Sequence, residues 1–98
     1  MEAIQDEIVK WHKETFPRAT IQAILDKLDE ELHEALDEIK GGDLKKLFEE
    51  LADVVIVTCA LAGALGINFE DVIIWKLEVN KNRTWVKELP NGDRVRER

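Results

Sequence analysis

The stretch "IKGGDLKK", residues 39–46, divides the chain into two helical halves. Glycine accepts the left-handed conformation that commonly ends a helix, so Gly41 and Gly42 predict a helix end at this point. Asp43 follows at once and is suited to cap the next helix. A connection this short places the flanking helices side by side and antiparallel. The centre of the fold is therefore predicted to be a helix hairpin.

Helical periodicity extends outward from this turn in both directions. Four helices are predicted over about residues 3–15, 21–40, 44–65 and 69–80, with Thr20 and Asn68 as further N-caps. The apolar stripe of helix two consists of Ile21, Leu25, Leu28, Leu32, Leu36 and Ile39. We predict an all-α, four-helix fold and a single domain over residues 1–98, ending in a basic C-terminal tail over 81–98. The turn signal Pro90-Asn91-Gly92-Asp93 could close a small hairpin in that tail.

Charge and apolar patterning exclude several functional classes. The net charge of −7 argues against a protein that binds nucleic-acid polymers by neutralising phosphates. No signal-peptide pattern is found, and the longest apolar run is too short to span a bilayer, so we expect a cytoplasmic protein without a membrane partner. Cys59 is the one cysteine and is expected to be a buried free thiol.

Helix three is apolar on nearly every side after Leu51, and such a helix must be buried on every side. In so short a chain this predicts a homo-oligomer, with Val55, Cys59 and Ala62 at the subunit interface. The tryptophans Trp11 and Trp75 are expected in the core. His12 and His33 are expected on the solvated surface.

Two pairs of carboxylates lie at equal distances from the central turn. Glu34 pairs in this way with Glu50, and Glu31 pairs with Asp53, so an antiparallel hairpin would bring all four to one level. Asp53 stands where helix three becomes apolar, and a buried acid among other acids needs a partner. A divalent cation would be such a partner. Ligation by oxygen alone favours Mg²⁺, with Mn²⁺ as a possible substitute.

Two other interpretations of these acids remain open. The first is a solvated acidic face, metal-binding at most, on a non-enzymatic helical oligomerisation module. The second is a ferritin-like di-iron site, because Glu30 and His33 have the Glu-x-x-His spacing. The second is disfavoured, since Glu30 and His33 lie away from the sector of Glu31 and Glu34, and Asp53 stands where a second histidine is needed.

The motifs together resemble a known enzyme family. "KLDEELHE" at residues 27–34 and "ELAD" at 50–53 are similar to the EExxE…ExxD signature of the MazG-like all-α nucleoside triphosphate pyrophosphohydrolases. "KLEVNKNRTW" at 76–85 resembles the K-x-x-x-N-x-x-R segment of that family. "WHKETFP" at 11–17 and the closing R-x-W resemble the phage and bacterial branch associated with dATP and dGTP.

The resemblance implies hydrolysis of a nucleoside triphosphate to monophosphate and pyrophosphate, by metal-activated water attacking the α-phosphorus. It also implies that the metal ligands and catalytic residues are Glu31, Glu34, Glu50 and Asp53, and that the protein is a homodimer or a dimer of dimers with shared sites. We take Glu34 as the general base, with Glu30 and Glu38 as alternatives. The expected substrate-binding residues are Lys27, Lys76, Asn80, Arg83 and Trp85. Aromatic residues that could stack a base are Trp11, Phe16, Trp75 and Trp85.

Overall fold

A computed structural model describes residues 2–83, 85–88 and 94–96. In this part of the chain the helices are α1 (Glu2–Thr15), α2 (Ile21–Gly41), α3 (Leu44–Ala64) and α4 (Phe69–Lys81), and the strands are β1 (Trp85–Glu88) and β2 (Arg94–Arg96). The all-α, four-helix prediction is confirmed. The two short strands form an antiparallel pair in the C-terminal segment. The turn predicted between them at 90–93 lies outside the described residues.

The helix ends follow from local side-chain chemistry. The Thr20 hydroxyl accepts a hydrogen bond from the Ala23 amide at 3.1 Å, and the Asp43 carboxylate accepts one from the Lys46 amide, also at 3.1 Å. These bonds satisfy amides that have no partner within the first helical turn. Gly42 ends α2 with φ of 75°, a conformation that glycine adopts without steric cost. The cap and stop residues predicted around the hairpin are therefore confirmed.

Helix α3 is the central helix, because it contacts α1, α2 and α4. The core forms where α1 meets α3, around Ile8, Cys59 and Ala60. Cys59 is fully buried and free, as predicted, and burial raises the pKa of its thiol. The interface predicted around Cys59 and Ala62 is wrong, because both side chains are buried inside the subunit. Val55 alone of that predicted set remains exposed.

Helix α2 turns a different face to α3 from the one that its apolar stripe predicts. Its buried residues are Ile24, Glu31 and Ala35. Most of the stripe stays exposed within the subunit, including Leu25, Leu32, Leu36 and Ile39. The prediction that the stripe marks the core-facing side is therefore wrong for the single chain. The face that packs against α3 is the one that carries the carboxylates.

A buried side-chain amide joins α1 to the turn between α3 and α4. Gln5 donates from Nε2 to the Ile67 carbonyl at 2.8 Å, and its Oε1 accepts from the Phe69 amide at 2.7 Å. None of the described residues of α4 is buried. Trp75 on this helix is 64% exposed, so the prediction that it belongs to the core is wrong for the single chain.

Among the described residues, no single helix is both long and apolar enough to cross a bilayer. Only α3 and α4 taken together, bent by 108° at their junction, meet the criteria of length and composition.

Candidate metal and nucleotide site

Three carboxylates meet where α2 packs against α3. One oxygen each from Glu31, Glu50 and Asp53 lies within 4.8 Å of the others. Glu31 comes from the buried face of α2, and the other two lie one turn apart on α3. Glu31 is buried, Glu50 is partly buried and Asp53 is exposed. The hairpin therefore brings acids of both helices to one level, and the cluster opens to solvent at Asp53.

Two oxygens of the cluster have no partner. Among the described residues, Oε2 of Glu31 and Oε2 of Glu50 are buried side-chain oxygens that accept no hydrogen bond. Leaving a buried polar group unsatisfied is costly, and more so when the group can carry charge. A cation held between the helices would satisfy both oxygens and offset the mutual repulsion of the acids. The residues present therefore fit the divalent metal that their chemistry suggests.

Lys27 is the positive charge nearest to the buried acid. Its Nζ lies 2.9 Å from Oε1 of Glu31 and 3.5 Å from Oε2 of Glu30. The hydrogen bond to Glu31 raises the pKa of Lys27. The same bond holds the pKa of Glu31 below its usual value, against the opposing effect of burial. Glu31 is thus kept ionised and ready to bind a cation.

The pKa of Glu50 is shifted in the opposite direction from that of Glu31. Desolvation, followed by the neighbouring carboxylates of Glu34 and Glu31, raises the pKa of Glu50 to about 7. Close to neutral pH, Glu50 is therefore only partly ionised. Glu34, which is exposed, lies close enough to perturb both Glu50 and Glu31. All four predicted carboxylates thus come into one interacting group, with Glu34 at its edge.

A cavity of about 460 Å³ is lined by residues of the acid cluster and of α1. Its charged lining residues are Lys27, Glu31 and Asp53. The rest of its lining is mostly apolar and consists of Trp11, His12, Phe16, Ala19, Ala23, Ile24, Ile56 and Val57. The rings of Trp11 and Phe16 stand edge to face, with centroids 5.9 Å apart and planes at 90°. A cavity lined by both carboxylates and aromatic rings suits a ligand that has a charged part and a flat, apolar part.

Of the residues predicted to bind substrate, Lys27 lines the cavity, and the other four belong to α4 or to the segment after it. Lys76, Asn80 and Arg83 lie on α4 or just beyond it and do not line this cavity. Arg83 donates from Nη1 to the Asn80 side-chain oxygen at 3.3 Å. Trp85 lies in β1, and its side chain is outside the described part of the chain. The substrate-binding roles of these four residues stay predictions.

Three expectations about individual side chains are wrong. Trp11 is 51% exposed and lines the cavity instead of the core. His12 is partly buried and lines the same cavity, instead of lying on the solvated surface. The buried acid of the cluster is Glu31, whereas Asp53 is exposed. The available signal was the aromatic spacing of Trp11 and Phe16 around the end of α1, which places both rings at one end of that helix.

His33 does not belong to the cluster of Glu31, Glu50 and Asp53, as its position on α2 predicts. It is exposed, and its Nδ1 lies 2.8 Å from the Asp29 carbonyl oxygen. The cluster described above contains carboxylates only. The ferritin-like interpretation, which needs histidine ligands, therefore has no support from this geometry.

Comparison with known families agrees with this geometry. Residues 19–84 match the model of the MazG nucleotide pyrophosphohydrolase domain, which is well over half of the chain. The chain belongs to the MazG nucleotide pyrophosphohydrolase family. It is therefore an enzyme that hydrolyses nucleoside triphosphates at a phosphoric anhydride, as the sequence motifs predict.

A solved structure supports the same assignment. The chain is similar to a MazG-like pyrophosphohydrolase of cyanophage S-2L, described as bound to dGDP and three catalytic Mn²⁺ ions per active site. The two are 30% identical, with a TM-score of 0.72, and the match covers 98% of this chain and 95% of the other. No curated protein sequence matches the chain significantly.

Proposed function

We propose that this enzyme hydrolyses purine deoxynucleoside triphosphates to the monophosphate and pyrophosphate in a Mg²⁺-dependent reaction. The observation that carries the proposal is the cavity lined by Glu31, which has a buried oxygen without a partner, by Asp53 and by a pair of aromatic rings. A triphosphate is a polyanion, so it can approach an acidic cluster only together with cations. The cyanophage relative, described with dGDP and Mn²⁺, supports both the nucleotide and the metal.

We assign the metal to Glu31, Glu34, Glu50 and Asp53. An all-oxygen ligand set, of which part is open to solvent at Asp53, suits Mg²⁺ and also accepts Mn²⁺. When bound, the metal supplies positive charge for phosphate oxygens and makes water a better nucleophile near neutral pH. The protein in turn holds its carboxylates at one level from two packed helices, which fixes their spacing before any ligand arrives.

Glu34 is our candidate for the general base. It is exposed at the edge of the cluster, outside the closely spaced group of three, so its carboxylate is open to water beside the acids. Attack of that water on the α-phosphorus forms a new P–O bond and breaks the bond to the bridging oxygen. The water proton passes to Glu34, and pyrophosphate leaves. Glu38, which is partly buried, and Glu30, which is paired with Lys27, are the alternatives.

The aromatic part of the cavity lining is the proposed place for the base. The Trp11 and Phe16 rings are each about half exposed, so they present free faces and edges to a ligand. Stacking of a base on an aromatic ring contributes about 1–3 kcal/mol in other proteins. A purine gains more from such contacts than a pyrimidine because its ring system is larger.

The basic end of α4 is proposed to serve a site on a neighbouring subunit. Lys76, Asn80 and Arg83 do not line the cavity of their own chain, whereas the arginine fork suits phosphate oxygens. The exposed apolar residues of α2 and α4 support a homodimer or a dimer of dimers, because patches of this kind mark protein–protein contacts. In a shared site of this kind, the carboxylates of one subunit and the basic segment of its neighbour would bind the same nucleotide.

The deciding experiment measures pyrophosphate release from a panel of ribo- and deoxynucleoside triphosphates, with and without Mg²⁺. We expect Mg²⁺-dependent release, fastest with dATP or dGTP. Glu31→Gln is the matched inactive variant, and Asp29→Asn, on the exposed side of α2, is the control for loss of one acidic charge. A non-enzymatic oligomerisation module with an acidic face would bind metal without releasing pyrophosphate from any member of the panel, and that result would overturn the proposal.

A further inference from the structure

The ammonium group of Lys27 binds the same carboxylate, that of Glu31, that a metal ion would bind. Its ammonium nitrogen lies 2.9 Å from Oε1 of Glu31, and the side chain of Glu31 is only 8% exposed. Among the described residues, it is the one cationic side chain that forms an ion pair with a carboxylate of the three-acid cluster. The other oxygen of Glu31 is buried without a partner. Glu31 therefore already holds one cation, and that cation belongs to the protein.

An ammonium group and a divalent metal cannot both use this carboxylate fully. The cluster oxygens lie within 4.8 Å of one another, so a metal bound among them would lie close to the ammonium and repel it. The Lys27 side chain is 50% exposed and stands at the wall of the cavity. Its long flexible stem lets the ammonium leave Glu31 without any movement of the helix.

We propose that Lys27 is a resident counter-ion of the metal site, which a divalent ion displaces and which then binds the phosphates of the nucleotide. The inference rests on the metal site proposed above and adds an order of events to it. The metal ion releases the ammonium from Glu31, and the released ammonium lies on the cavity side, where a polyphosphate chain approaches the acids. Lys27 is thus a positioning residue that couples binding of the metal to binding of the triphosphate.

The chain offers a matched control for this proposal. Lys46 stands one turn before Glu50 on α3, as Lys27 stands one turn before Glu31 on α2. It is exposed, and no ion pair between it and Glu50 is found in the described part of the chain. Lys46→Met therefore removes one positive charge near the same helix pair without removing an ion pair with the cluster.

The test measures binding of Mn²⁺ alone to the full-length protein, without nucleotide, by electron paramagnetic resonance of the free ion. Lys27→Met should bind Mn²⁺ about two- to fivefold more tightly than wild type, which is the range expected from removing one competing ion pair. The change in Mn²⁺ affinity caused by Lys46→Met should be less than half of the change caused by Lys27→Met. With Mg²⁺ present, Lys27→Met should bind a non-hydrolysable triphosphate analogue more weakly than wild type, whereas Lys46→Met should not. Lys27→Gln repeats the test if the methionine variant fails to fold.

The outcomes separate this inference from the proposed function. If wild type and all variants bind no Mn²⁺, the metal site and the counter-ion role both fail. If wild type binds Mn²⁺ but Lys27→Met binds it no more tightly, or Lys46→Met gains as much, only the counter-ion role fails. A direct readout is the NMR signal of Lys27 after reductive methylation with ¹³C-formaldehyde, which keeps the charge. It should shift when Mg²⁺ alone is added, and a signal that does not move overturns the proposal.

Discussion

Metal binding should release a proton from Glu50, and the amount released should depend on pH. The pKa of Glu50 is raised to about 7 by desolvation and by the carboxylates of Glu34 and Glu31. A metal ion takes only the ionised form of a carboxylate, so binding must displace any proton that Glu50 still holds. With a pKa of about 7, Glu50 is protonated to a larger extent at pH 6.5 than at pH 8.

Isothermal titration calorimetry can count this proton. Mg²⁺ or Mn²⁺ is titrated into the metal-free protein in two buffers that differ in ionisation enthalpy, and the difference in heat gives the number of protons released. We expect more protons to be released per site at pH 6.5 than at pH 8, because Glu50 holds its proton more often at the lower pH. Glu49→Gln, which changes the adjacent exposed carboxylate, should release the same number as wild type. Heats that do not depend on the buffer at pH 6.5 would refute the reasoning.

A second measurement tests the pKa of Glu50 without any metal. It compares wild type with Glu50→Gln and is valid even if that variant no longer binds metal. In the metal-free protein, the folded-state pKa of Glu50 lies above the ordinary glutamate value of about 4.5. Between these two values the folded state holds a proton that the unfolded state has lost, so stability must fall as pH rises from about 4.5 to about 7. Urea denaturation in EDTA should show this fall in wild type and in Glu49→Gln. In Glu50→Gln the curve should be flatter, and an equally steep curve would contradict the assignment.

Four further outcomes are expected. Asp53→Asn should abolish pyrophosphate release yet melt in EDTA like wild type, because Asp53 is exposed and its neutralisation relieves repulsion; a much lower melting temperature in EDTA would indicate a structural role instead. Gly63→Ala should lower the free energy of unfolding, measured in urea, by about 1–3 kcal/mol, because the added methyl group would overlap Val9. The double variant with Val9→Ala should recover part of this loss, and no recovery would show that the overlap is not the cause. Trp11→Ala should raise KM for the preferred nucleotide by the equivalent of about 1–3 kcal/mol, while the Mn²⁺ affinity of the free protein stays the same. An unchanged KM would show that Trp11 does not contact the base. Arg83→Ala should lower kcat/KM by the equivalent of about 2–4 kcal/mol without lowering the melting temperature; full activity per folded molecule would end its proposed role.

The local features of the fold could be predicted because each depends on only a few neighbouring residues. The caps at Thr20 and Asp43 and the helix end at Gly42 follow from side-chain oxygens and from the conformational freedom of glycine. The meeting of Glu31 with Glu50 and Asp53 follows from the same turn, since a short connection leaves one way to align two antiparallel helices. These predictions required no knowledge of the tertiary structure.

The faces of the helices could not be predicted in the same way. Periodicity shows that α2 has an apolar stripe, but it does not show which surface the stripe will meet. Within the chain, α3 packs against the side of α2 that holds Ile24, Glu31 and Ala35, and the leucine stripe stays exposed. Trp11 was misplaced for a related reason, because a large apolar side chain can line a cavity as readily as it fills a core.

The Gln5 side chain has a consequence for how the fold opens. Its two hydrogen bonds hold the carbonyl of Ile67 and the amide of Phe69 on either side of the α3–α4 junction. Because none of the described residues of α4 is buried, this helix has little apolar packing of its own inside the subunit. In a subunit whose α4 is not covered by a partner, the amides of α4 should therefore exchange with deuterium through a local opening of lower free energy than those of α3. Gln5 would then mark the boundary between two cooperative units, one that holds the acids and one that carries the basic segment.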